Sequence, residues 1–185
     1  MAKVDLARVQ RRARFAYERA RLQRALVGFA PALVICAAAA CLGTRPSEIV
    51  AFGVAAFLAG VALLWYGREP RRAVLPGFVA GLLPLALTIA AMRAGHMCFG
   101  DRCSTWCLWS CVVGGALAGF AVGHFGFRRG YGVRYLLAAS AIAVLTGSMG
   151  GTCMGLSGLY GLVLGYLGGV APAAVARWLV ARGAR

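Results

Sequence analysis

The sequence predicts an all-α, polytopic membrane protein with six transmembrane helices and both termini in the cytoplasm, and three observations carry that expectation. First, 61% of the 185 residues are hydrophobic and only 14% are charged, whereas a water-soluble domain carries roughly 25% charged residues. Disorder is excluded as well, because disordered chains are poor in apolar residues. Second, the apolar residues gather into six stretches close to the roughly 20 residues that a helix needs to cross about 30 Å of hydrocarbon. Third, the cations behind a formal charge of +15 gather on one of the two sides that those stretches define.

Taken in order, the chain opens on a basic arm, 1–24. There Leu6, Val9, Ala13, Ala16 and Ala20 recur at three- and four-residue spacing and Arg14 stands four residues before Glu18, which predicts an amphipathic helix. The six-helix membrane domain, 25–176, follows. Its expected spans are 25–43, 49–66, 74–92, 104–125, 135–149 and 156–176, the fifth being the shortest. None has an Asp, Glu, Lys or Arg in its interior, in keeping with the cost of about 2.5–3.5 kcal/mol for such a residue at a helix centre. A short tail, 177–185, closes the chain, and the loops are too short to hold a second domain.

Short cytoplasmic loops accumulate Lys and Arg. The arm, the second and fourth loops and the tail together hold 17 of the 20 Lys and Arg, and the other side has only Arg45, Arg93 and Arg102. This distribution places the arm and the tail in the cytoplasm. A rival reading takes the basic arm, the first apolar stretch and Ala37-Ala38-Ala39-Ala40 as a cleaved signal peptide, or with Cys41 as a lipoprotein signal.

Within the spans, Gly115, Gly119 and Gly123, and likewise Gly161, Gly165 and Gly169, recur every four residues. Small residues at that spacing let neighbouring helices approach closely, so helix packing is the role expected of them. Transporters and proton pumps need ionisable groups near the bilayer midplane. These spans offer only Thr88, Ser110, Ser140, Thr146, Ser148 and a peripheral His124, which is expected to be solvated or hydrogen-bonded. The five acidic residues are scattered and assemble no catalytic set, so no enzyme is expected.

The seven cysteines are the most distinctive feature. Cys41 closes the first span, Cys98 and Cys103 fall in the third-to-fourth outer loop, Cys107 follows in the fourth span, and Cys153 lies in the fifth-to-sixth outer loop. Cys111 is deeper, and Cys36 is expected in the core. Thiols on an extracytoplasmic face meet an oxidising compartment, so bridges stapling the outer loops are one reading. A second is a soft-metal site for copper, zinc or mercury, drawn from His96, Met97, Cys98, Cys103, Cys107, Met149, Cys153 and Met154. A third is a redox switch in which a thiol pair from two loops is joined or separated by oxidant. The arm has two readings of its own. It is a lipid-headgroup anchor, or a docking helix for a cytoplasmic protein using Leu6, Arg8, Val9, Arg12 and Arg19. Direct nucleic-acid binding is not expected, because base-reading features are missing.

This arrangement of arm, six spans and cysteines in the third-to-fourth and fifth-to-sixth outer loops resembles the NrsF-type membrane anti-sigma factors of bacteria. The resemblance is strongest over 136–179, through Gly150-Gly151-Thr152-Cys153-Met154-Gly155, the Gly-rich last span and Gly169-Val170-Ala171-Pro172-Ala173-Ala174-Val175-Ala176-Arg177-Trp178. It implies an inner-membrane regulator that holds an extracytoplasmic-function sigma factor until an oxidant or metal signal at the outer cysteines releases it. By position, Cys153 is the last-loop cysteine and Cys103 or Cys98 its counterpart. The chain departs from the family pattern in having five further cysteines. Its arm is also basic, so docking on a basic sigma factor would use the apolar stripe or the partner's acidic patches. Readings from other classes are a soft-metal-binding membrane protein or transporter, and a structural subunit of a membrane complex.

Overall fold

In hydrocarbon every backbone N–H and C=O must be satisfied within the chain, and the helix does this segment by segment. The computed structural model accordingly is all-helical; it describes residues 6–42, 45–66, 68–94, 102–152 and 155–183. Six helices run in order: α1 Leu6–Leu42, α2 Pro46–Tyr66, α3 Arg68–Ala94, α4 Arg102–Arg128, α5 Val133–Gly151 and α6 Leu156–Gly183. Five of them are long and apolar enough to cross a membrane, and α6 contains an apolar stretch of 17 residues, Leu156–Pro172. The arm and the first expected span form one uninterrupted helix, and α6 carries the helical backbone past 176 to Gly183.

Consecutive helices run antiparallel. Phe29 and Cys36 of α1 face Gly60 and Gly53 of α2 in reverse order, and Pro84 of α3 sits against Gly114 of α4. The α4–α5 turn shows how sequence sets such a reversal. Gly130 adopts φ +65°, its N–H donates to Phe127 O at 3.1 Å, and the Tyr131 N–H donates to Gly126 O at 3.1 Å. That is the Schellman arrangement, which needs a residue in the left-handed region and so favours glycine.

The two most extensive helix pairs are parallel, α4 along α6 and α3 along α5. A Cβ on Gly115 or Gly119 would collide with the backbone of Leu162 or Tyr166. A Cβ on Gly165 or Gly169 would collide with Val112 or Ala116. The α3–α5 seam repeats this with Gly77 against Ala139 and Gly81 against Ala143. Of the six glycines expected to pack helices, Gly161 meets the side chains of Leu108 and Val112, and Gly123 is buried.

The side chains are sorted opposite to those of a soluble protein. Small residues such as Ala73, Ala118, Ala139 and Ala143 form the main core with Tyr135 and Tyr166, while Leu58, Leu75, Leu137 and Leu164 point outward. Large apolar side chains facing out suit a lipid environment, in keeping with five helices long and apolar enough to cross a membrane. The shortest expected span is the centre of the bundle: α5 touches every other helix. Across it, Tyr166 of α6 donates to Ser140 at 2.8 Å.

Candidate functional site

Because the helices alternate in direction, Leu42, Pro46, Ala94, Arg102, Gly151 and Leu156 meet at one end of the bundle. Cys41, the penultimate residue of α1, is exposed there with a free thiol. Five residues deeper, Cys36 is buried and directs its S–H at the Ile49 carbonyl, 3.8 Å away. It belongs to an apolar cluster with Ala39, Ile49, Leu85 and Met149. Met149, a candidate soft ligand in the sequence, is therefore core. With the Cys36 side chain it covers Gly53, where an added Cβ would collide with Cys36 and meet the Met149 sulfur at 3.4 Å.

Along α4, Cys103 falls in the first turn, Cys107 is half-buried and Cys111 is fully buried, and the last two are free thiols. The three-cysteine stripe thus passes from the helix end toward the interior. His96, Met97, Cys98, Cys153 and Met154 lie outside the described residues, as does the side chain of Cys103. Among the described residues no group of three or more His, Cys, Asp or Glu could hold a metal ion.

The same end contains a cleft of about 370 Å³ that sequence reasoning missed. α2 and α6 both lie against α5 without packing extensively on each other, and the gap between them is floored by Ser148, Gly151 and Thr152 of α5. Arg45 and Glu48 form an ion pair of 3.0 Å on its rim, their side chains 54% and 42% exposed. The signal in the sequence was the Arg45-x-x-Glu48 spacing at the start of a helix, together with an outer cation where few occur.

Polar side chains in the spans are mostly spent locally. Thr88 donates to the carbonyls of Pro84 and Leu85, each at 2.9 Å, and Ser148 to Val144 at 2.7 Å. Thr146 is buried with no hydrogen-bond partner for its hydroxyl. His124 is exposed and stacks on Phe120 with ring centroids 5.7 Å apart, as a peripheral histidine should.

At the other end, the arm is helical from Leu6, and every side chain from Val9 to Ala20 is exposed, Arg12 and Arg19 among them. The side chains of Leu6 and Arg8 fall outside the described residues. Phe15 and Tyr17, which the expected docking set omitted, are the most exposed aromatics of the arm. Two aromatic rings in a segment otherwise rich in Arg and Ala were the available signal.

The fold is that of an all-helical, membrane-type protein, with a cleft at one end of the bundle and an exposed basic arm at the other as its distinctive surfaces. No protein-family model, curated protein or solved structure matches the chain.

Proposed function

We propose that this protein is a six-span regulator of a bacterial inner membrane, an anti-sigma factor whose cytoplasmic arm holds an extracytoplasmic-function sigma factor. An oxidant or metal at the outer cysteines is the signal for release. The observation that carries this reading is the continuity of α1. At 1.5 Å per residue its 37 residues extend about 55 Å, and roughly 20 of them suffice for the hydrocarbon. The remainder leads Arg8 to Arg14 out past a Debye length of about 8–10 Å, where headgroup charges are screened. A lipid anchor would instead lie along the headgroups. An exposed helix offering Val9, Phe15 and Tyr17 between arginines is suited to a protein partner.

The 17-residue apolar stretch of α6 is at the lower limit for a crossing, which supports a sixth span and returns the tail to the arm's side. With the arm cytoplasmic, the end bearing Cys41 and the first turn of α4 is outside. Cys103 starts α4, and Cys153 precedes the first residue of α6, its parallel neighbour, by three positions in the chain. Oxidation of that thiol pair to a disulfide, with two electrons and two protons passing to the oxidant, would tie the α4–α6 unit to the connection that leaves α5.

The test is co-purification of a sigma factor with the full-length protein from membranes, before and after exposure to oxidant or soft metal. The expected result is a stoichiometric complex that dissociates on exposure and stays intact in a Cys103→Ser, Cys153→Ser double variant. Normal release from that variant would overturn the sensing step, and absence of any complex under reducing conditions would overturn the anti-sigma reading.

A further inference from the structure

The cleft between α2 and α6 plays no part in the sigma-factor reading, yet its chemistry is selective. Its floor presents two buried hydroxyls, and the O–H of each is already engaged as a hydrogen-bond donor. Ser148 donates to the Val144 carbonyl at 2.7 Å and Thr152 to the Met149 carbonyl at 3.2 Å. A hydroxyl that donates inward keeps its oxygen lone pairs, so the floor accepts hydrogen bonds and offers none. On the rim the Glu48 carboxylate also accepts, and the Arg45 guanidinium is the donor. Gly155, at φ +62°, lies beside that guanidinium; a Cβ there would be 3.7 Å from an Arg45 nitrogen. The remaining wall is apolar, formed by Phe52 of α2 with Leu156 and Leu159 of α6.

A ligand matching this lining carries an anion for Arg45, a cation with its own N–H donors for Glu48 and the two hydroxyl oxygens, and an apolar tail. The anion and cation must be close together, because Arg45 and Glu48 are one helical turn apart. We propose that the cleft binds an aminophospholipid through its phosphoethanolamine headgroup. The phosphate sits on Arg45, the ammonium among Glu48, Ser148 and Thr152, and an acyl chain follows Phe52 and Leu159 toward the hydrocarbon. The existing Arg45–Glu48 pair does not block this, since an exposed ion pair is weak and each partner exchanges one counter-charge for another. The cleft lies at an end of the bundle, which on the six-span reading is headgroup depth, and α2 and α6 do not pack over it. The proposal is independent of which side of the membrane that end faces.

Native mass spectrometry of the detergent-purified full chain with phosphatidylethanolamine, phosphatidylcholine and phosphatidylglycerol of identical acyl chains tests it directly. Methylation removes every N–H donor from the choline headgroup, and the glycerol headgroup has no cation. Retention of the ethanolamine lipid should therefore exceed that of either other lipid several-fold. Glu48→Gln, an exposed and conservative change, should reduce the ethanolamine lipid to the level of the choline lipid. Arg93→Gln, an outer-end cation outside the cleft, should leave the preference unchanged. Equal retention of the three lipids by the unaltered protein would overturn the proposal with no variant required. So would a preference for phosphatidylglycerol, or an ethanolamine preference that survives Glu48→Gln or falls equally with Arg93→Gln.

Discussion

At Gly169 a hydrogen atom stands where any other residue would press a methyl group into the backbone of Ala116, whereas the adjacent Gly168 has nothing within 4 Å of that position. In lipid the helices are held by close contact and not by a hydrophobic force, so separation along this seam is costly. Gly169→Ala should therefore lower the thermal unfolding midpoint in detergent, with a destabilisation of about 1–3 kcal/mol typical of overpacking. Gly168→Ala, which meets no neighbour and gains helix propensity, should leave the midpoint unchanged or raise it, and an equal fall in both would show that close contact at Gly169 is not the cause. Thr146 makes the opposite case. Its hydroxyl is buried and unpaired, and a buried unsatisfied group costs roughly 1–3 kcal/mol. Thr146→Val keeps the shape and removes that group, so the midpoint should hold or rise. A clear fall would mean that water or a partner supplies the hydroxyl in the membrane.

Among the elements, α5 explains best which parts of the fold could be read from the sequence. It looked like the weakest span because Ser140, Thr146, Ser148 and several glycines dilute its apolar character. Those residues are there because most of α5 faces protein: 11 of its 19 residues are buried, while Leu137 still points outward. Hydropathy measures contact with lipid, so a helix screened from lipid by its neighbours loses the signal that identifies peripheral ones such as α2. Spans flanked by charge and the four-residue glycine stripes were legible because both follow from one helix at a time. The cleft was not legible, because it is made by two helices that fail to meet. Nor was the fusion of the arm with the first span, since helix periodicity continues through Arg24 without a boundary residue to mark it. Of the cysteines, the depth of Cys36 and the end position of Cys41 were both readable from their spacing to the span end.

For the whole molecule, the sorting of large side chains outward suits a bilayer, but sorting is the same for either orientation of the bundle. Orientation rests on charge: seventeen of twenty cations assigned to the arm's side, each more easily retained in the cytoplasm than moved across the membrane. The proposed topology therefore predicts opposite accessibility for the two ends of α1. In a variant retaining Cys41 as its only cysteine, a membrane-impermeant maleimide added to sealed right-side-out vesicles should label that exposed thiol. In a second variant lacking all native cysteines and carrying Phe15→Cys in the exposed arm, labelling should require permeabilisation. Retaining only Cys36 gives the control: its thiol is packed against the Ile49 carbonyl and should react only after denaturation, whichever side faces out. The reverse pattern for Cys41 and position 15 would invert the molecule. It would also put the cysteine-bearing end in a reducing compartment, where disulfides do not persist, and the arm beyond the reach of any sigma factor.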